Sequence, residues 1–153
     1  QQGFGRIIQN SSVLGLVAMP YRGAYNASKF AIEGYTDTLR LELRDTEIQI
    51  SLIEPGPIAS QFRANALEKF NEHIDMKNSN HKEKYEPQIE RLASKKANTP
   101  FTLPSSAVSK KLLHALTAKK AKTRYYVTFP THLMACLKRL IPVSWLDAIL
   151  VKN

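Results

Sequence analysis

The chain has 153 residues, of which 43% are hydrophobic, and a formal net charge of +9. Residues 1–100 hold thirteen Lys/Arg against twelve Asp/Glu, whereas residues 101–153 hold nine against one, so the positive charge gathers at the C-terminal end. The length allows a core of its own, the lone Cys136 excludes an intramolecular disulfide and suits a reducing compartment, and no run of about 18 apolar residues offers a membrane-spanning helix. His73, His81, His114 and His132 show no metal-ligand spacing, and a Gly-x-Ser-x-Gly elbow is absent, so metalloenzyme and hydrolase chemistry lack support. Nucleic acid is not expected as a partner, because no zinc-ligand, helix-turn-helix or Arg/Gly-aromatic pattern supplies readout for the basic charge.

The first predicted element is a short apolar strand over 6–10, entered almost at once after Gln1–Gly5 and ending in the hydroxyls of Ser11 and Ser12. A glycine-containing loop leads to a helix over about 23–44 that carries Tyr25 and Lys29. Ala27, Ala31, Gly34, Thr38 and Leu41 form a stripe of mostly small side chains on it, suited to packing against its own sheet or against another subunit. A second strand follows at 49–53 and runs into Glu54-Pro55-Gly56-Pro57, a turn sequence. The polar stretch from Ser60 to about Ala97 reads as two helices broken at Asn78-Ser79-Asn80-His81. Phe101 to Ser106 leads into a helix with Ala107, Val108, Leu112, Leu113 and Leu116, and Arg124–Thr128 reads as a last strand. Thr131 to Lys152 is an apolar tail split by Pro142, with Lys138, Arg139 and Lys152 among its apolar side chains. Covering a cavity or packing on further chain suits it better than lying as an interfacial helix; Cys136 and Trp145 are expected to be buried in it.

Four residues apart on a helix, Tyr25 and Lys29 share a face, so an ammonium can lie near a phenol. A free phenol, with a pKa of about 10, is a poor base at neutral pH, and a cation within about 4 to 6 Å favours its phenolate. Tyr-x-x-x-Lys alone usually marks two residues on a solvated helix face. Here it comes with Ser12 thirteen residues before Tyr25, with the small residues Ala24, Ala27 and Ser28, and with the later run Glu54-Pro55-Gly56-Pro57-Ile58-Ala59-Ser60. Together these resemble the short-chain dehydrogenase/reductase family, nearest in look to its hydroxysteroid and retinol dehydrogenase-like members.

The resemblance implies an oxidoreductase that uses NAD or NADP to interconvert an alcohol and a carbonyl on a small hydrophobic substrate. It implies that Ser12 polarises the substrate oxygen, that Tyr25 is the general acid/base, and that Lys29 binds the nicotinamide ribose and favours the phenolate. Ser11, the rival for the serine role, is expected to serve instead as a local backbone partner. The Pro55-Gly56 turn would pass the nicotinamide, and Ile58 and Ser60 would contact its carboxamide, with Ser60 where the family usually has threonine.

The family also carries a glycine-rich strand-turn-helix for the pyrophosphate, and no such pattern occurs here, where the closest glycines, Gly3 and Gly5, precede a strand. The expectation is therefore α/β: the C-terminal half of a doubly wound Rossmann-type parallel sheet, with a helical lid insertion at about 60–100 and a helical C-terminal tail. Residues 1–130 would be the catalytic half and 131–153 a tail of the same domain, with little activity from this length of chain alone. The helix over 23–44 is expected to join subunits of a homo-oligomer. The location is expected to be cytoplasmic, with weak membrane-surface contact through 131–153 at most. Two readings from other classes are a truncated, non-catalytic association module and a peripheral membrane-binding module built on the basic pole.

Overall fold

The computed structural model describes residues 2–76, 78–94 and 100–151. Isoleucines punctuate the two longer strands, β1 (Phe4–Asn10) and β2 (Glu47–Glu54), as β-branched side chains favour. The strands pair in parallel with Ile7 opposite Ile50 and Asn10 opposite Ile53. A parallel pair needs a long crossover, which α1 (Gly23–Glu42) supplies. Two short strands, β3 (Ile58–Ala59) and β4 (Leu103–Pro104), pair with each other. Between them lie α2 (Phe62–His73) and α3 (Lys82–Ala93). α4 (Ser106–Thr117) leads to β5 (Arg124–Tyr126), which joins β2 in parallel and completes the order β1-β2-β5. The chain continues through α5 (Phe129–Leu140) and α6 (Val143–Leu150).

Successive side chains on a strand point to opposite faces, so β5 reports what covers each face. Arg124 reaches Glu33 and Asp37 of α1, while the hydroxyl of the next residue, Tyr125, lies 2.9 Å from His114 Nδ1 of α4. The two helices therefore cover opposite faces, the doubly wound arrangement. One apolar cluster joins Ile53, Tyr125 and Val127 to Ala115 of α4; the other joins Leu14, Leu16 and Val17 to Ala135, Leu146 and Leu150 of the tail.

Under α1 the core is polar. Arg124 donates to Glu33, to Glu54 Oε1 at 2.7 Å and to Asp37 Oδ2 at 2.7 Å. Glu54 is completely buried, and burial followed by the nearby Glu33 carboxylate pushes its carboxyl up to about 7. Glu54 Oε2 and Glu33 Oε1 have no hydrogen-bond partner among the described residues.

Several sequence expectations change. Ala27, Ala31, Gly34, Thr38 and Leu41 are all exposed, so the small-residue stripe does not pack on its own sheet; Asn26, Glu33 and Thr36 are the buried residues of α1. Cys136 is exposed, and Trp145 is 66% exposed rather than a core anchor. The last strand stops at Tyr126, because Thr128 is already the N-cap of α5. The polar stretch does form two helices, the first ending at His73 and the second starting at Lys82, and Pro142 caps α6. Lys152, and Ala97 where the polar stretch was expected to end, lie outside the described residues.

Candidate active site

The carboxyl ends of β1 and β2 are tied together by backbone bonds, from Ser11 N to Ile53 O at 2.8 Å and from Val13 N to Pro55 O at 2.8 Å. In open α/β sheets such ends form the ligand crevice. Ser12 has extended backbone, φ −167° and ψ 162°, and caps a 3-10 turn at Val13–Gly15, accepting from Leu14 N through Oγ at 3.1 Å. That bond uses a lone pair and leaves the hydroxyl proton available. The local backbone role expected of Ser11 thus belongs to Ser12; Ser11 Oγ is buried and has no hydrogen-bond partner among the described residues. Gly15 is required by a close approach, since a Cβ there would lie 2.6 Å from Ser11 Oγ and 2.9 Å from Glu33 Cγ.

The chain then turns into α1 through Tyr21, whose φ of 60° is in the left-handed region. Asn26 Nδ2 bonds Met19 O at 3.0 Å and fixes the helix start to that loop. Tyr25 is half-buried, packs against the cluster that joins Leu14 to Leu146, and meets the Phe62 ring edge-on at 5.4 Å. One turn along, Lys29 Nζ donates to Asn10 O at 3.0 Å and lies 5.7 Å from the centre of the Tyr25 ring. Burial lowers the Lys29 pKa from its ordinary value. The ammonium keeps two of its three donors for other partners.

The turn after β2 divides its residues. Gly56 is pressed against the start of α5, where a Cβ would come within 2.1 Å of Thr128 Oγ1 and 2.7 Å of Thr131 Oγ1. Pro55 is held by its carbonyl bond to Val13. Ile58 turns away and packs with Ile53, Ala115 and Tyr125. Ser60 is exposed, and its Oγ accepts from Phe62 N at 3.4 Å. The fold thus brings Ser12, Tyr25, Lys29, Pro55 and Gly56 to one end of the sheet, with Ile58 beside α4 and Ser60 just before α2. Phe62, which touches Tyr25, was missed in the sequence; its spacing from Ser60 carries no signal, and β3 pairing with β4 is what brings it in.

A parallel α/β sheet covered by helices on both faces, with a hydroxyl, a phenol and an ammonium near its carboxyl end, is the class of scaffold this chain builds. The sequence profile of the family described as short chain dehydrogenase matches residues 1–71. The uncharacterized oxidoreductase YbbO of Escherichia coli strain K12 is 42% identical over 148 residues, 97% of this chain and 49% of that protein. The NADPH-dependent 3-dehydrocapnine reductase of Ornithobacterium rhinotracheale is 34% identical over 97% of this chain and 50% of that protein. A short-chain dehydrogenase structure from Burkholderia cenocepacia J2315, in complex with NADP, superposes with a TM-score of 0.64 at 20% identity, covering 96% of this chain and 49% of that one, a likeness of fold. By family the chain is a short-chain dehydrogenase/reductase, and it spans about half the length of the curated relatives it matches.

Proposed function

We propose that the complete protein is an NAD(P)-dependent oxidoreductase that interconverts an alcohol and a carbonyl, with Ser12, Tyr25 and Lys29 as its reacting and positioning groups. The carrying observation is that Lys29 spans from α1 to the end of β1 while sharing a helix face with Tyr25. The residues fit the nicotinamide end of such a cofactor: Lys29 has two donors to spare for ribose hydroxyls, and the Pro55-Gly56 turn crosses the same sheet end. When bound, that group supplies or takes up the hydride.

In the reducing direction the Tyr25 hydroxyl gives its proton to the substrate oxygen. Ser12 donates its free hydroxyl proton to the same oxygen and stabilises charge that develops there. The Lys29 ammonium holds its charge one turn along the same helix face, 5.7 Å from the centre of the Tyr25 ring. Phe62 packs edge-on against one side of the Tyr25 ring. The exposed rings of Phe62 and Tyr21 favour a hydrophobic substrate, and the relative from Ornithobacterium is NADPH-dependent by name.

Exposure of the Ala27–Leu41 stripe favours an α1 that packs against another subunit. Membrane contact through the tail draws support from Leu140 and Val143, 74% and 73% exposed. Against it, Lys138 stacks over the Phe30 ring at 4.7 Å and Arg139 donates to Ala135 O, so both cations are engaged within the chain.

Tyr25→Phe tests the assignment. It should lower kcat by about 100-fold or more in the complete protein while leaving the Kd for the cofactor, read by fluorescence titration, nearly unchanged. Turnover at the wild-type rate would exclude Tyr25 as the acid.

A further inference from the structure

Three arginines from three elements come within electrostatic reach of one another near the start of α1, the end of the helix that carries Tyr25. Arg22 is the N-cap residue of α1, three residues before Tyr25; Arg63 follows Phe62, whose ring touches Tyr25 at 5.4 Å; Arg91 lies on α3, which is held to the loop before α1 by the Tyr21–Tyr85 ring contact at 5.7 Å. All three side chains are half-buried.

The surroundings of Arg22 and Arg91 offer little compensation. Arg22 Nη1 contacts a thioether, Met19 Sδ, at 3.0 Å. Arg91 Nε is buried with no hydrogen-bond partner among the described residues. Neither Arg22 nor Arg91 enters an ion pair among the described residues. Burial, then Arg91 and Arg63, bring Arg22 down to about 10, and the Tyr25 phenol is near enough to act in the opposite sense. Burial and Arg63 likewise lower Arg91. Half-buried guanidiniums that repel one another are costly unless an anion joins them, and the planar fork of arginine suits carboxylate, sulfonate and phosphate groups.

Around these charges the walls are aromatic. Tyr85 meets Tyr21, and also Phe70 at 5.5 Å, while Phe62 and Tyr21 remain 54% and 47% exposed. Charge and apolar surface therefore meet on the lid side of the phenol.

Resting on the oxidoreductase reading, the geometry points to a substrate that is an apolar carbonyl or alcohol compound bearing an acidic oxyanion group, bound by Arg22 and Arg91 with Arg63 adding its charge. Recognition of this kind selects acids over their neutral esters by desolvated charge-assisted hydrogen bonds.

The complete protein is assayed with a positional series of oxodecanoic acids and their methyl esters, and octanoate and octanamide are titrated by calorimetry. For at least one isomer kcat/KM should favour the acid by about tenfold or more, the range of one hydrogen bond to a charged group. Arg91→Gln and Arg22→Gln should each shrink that ratio, chiefly through the KM of the acid, and Arg91→Lys should restore part of it. A wild-type ratio near one, or a ratio unchanged in both Gln variants, overturns the proposal. Arg91→Gln weakening NADP(H) as much as the acid would assign the arginines to the cofactor's phosphates and overturn it too. Should no compound be turned over, the oxidoreductase reading falls and binding decides the arginines. Octanoate bound more tightly than octanamide, with the difference lost in Arg91→Gln, upholds the anion site, and equal binding of the two overturns it.

Discussion

On the sheet side of Tyr25, α1 buries Asn26, Glu33 and Thr36 and is locked to β2 and β5 through Arg124. On the other side, the helices proposed as a lid, α2 and α3, bury no residue at all and meet the loop before α1 through the edges of Tyr85 and Tyr21. Free energies of local opening follow buried contacts, so the groups proposed to react stand on the more firmly held region. The arginines and rings proposed to recognise substrate come largely from the other. Substitutions on the sheet side should therefore move stability first, and substitutions on the lid should move KM first.

Arg124→Met would break that contrast most severely if it were benign. It leaves Glu33 and Glu54 buried without their cation, and removing one partner of a buried charge group costs about 3–5 kcal/mol. Urea unfolding of the complete protein at pH 8 should show a loss of that size, and a smaller one at pH 5, where a proton on Glu54 relieves the repulsion. A loss below about 1 kcal/mol, the range of surface ion pairs, would show that the polar core does not lock α1.

Glu54 itself gives the next largest effect. Its carboxyl has an ordinary value of 4.5 in the unfolded chain and about 7 when folded. Below 4.5 both states hold the proton, and between the two values only the folded state does, so stability falls as pH rises through this window and levels off above it. The linkage amounts to about 3 kcal/mol. Glu54→Gln removes that titration while its amide oxygen can still accept from Arg124. The difference in unfolding free energy between variant and wild type should accordingly swing in favour of the variant from pH 4.5 to pH 8. Parallel profiles would mean that Glu54 is ionised throughout.

Much of the sheet side was legible because its elements are set by local pattern. The apolar strand before Ser12, the four-residue spacing of Tyr25 and Lys29, and the Pro-Gly turn all report themselves within a few residues. What escaped depends on contacts far apart in the chain. Nothing near Glu33 announces that it meets Arg124 some ninety residues on, and the acidic residue before Pro55 reads as part of a turn, not as the centre of a buried charge group. The interval to Tyr25 assigns the reacting role to Ser12 and a local backbone role to Ser11, yet it is Ser12 Oγ that bonds the backbone, since capping geometry decides this and sequence does not. Arg22 at the start of α1, Arg63 on α2 and Arg91 on α3 carry no local signal either, because their approach needs α2 and α3 folded back over the start of α1.

The smallest expected effect sharpens the lid half of the contrast. Tyr85 is the hub of the lid's ring contacts, meeting Tyr21 at 5.7 Å, Phe70 at 5.5 Å and His81 at 6.3 Å. An aromatic pair adds about 0.5–1.5 kcal/mol beyond its buried area, and α3 has no buried residue to lose, so Tyr85→Ala should cost about 1 kcal/mol of global stability or less. Its consequence should fall on substrate. Without the hub, Arg91 and the Tyr21 loop lose their mutual alignment, and KM should rise severalfold for a hydrophobic carbonyl substrate. Meanwhile kcat at saturation stays near wild type, because Tyr25, Lys29 and Ser12 are held from the sheet side. Steady-state kinetics and thermal unfolding on the same preparation separate the outcomes. A fall in kcat comparable with that of Tyr25→Phe would mean that the lid positions the reacting phenol as well, through the Phe62 edge contact.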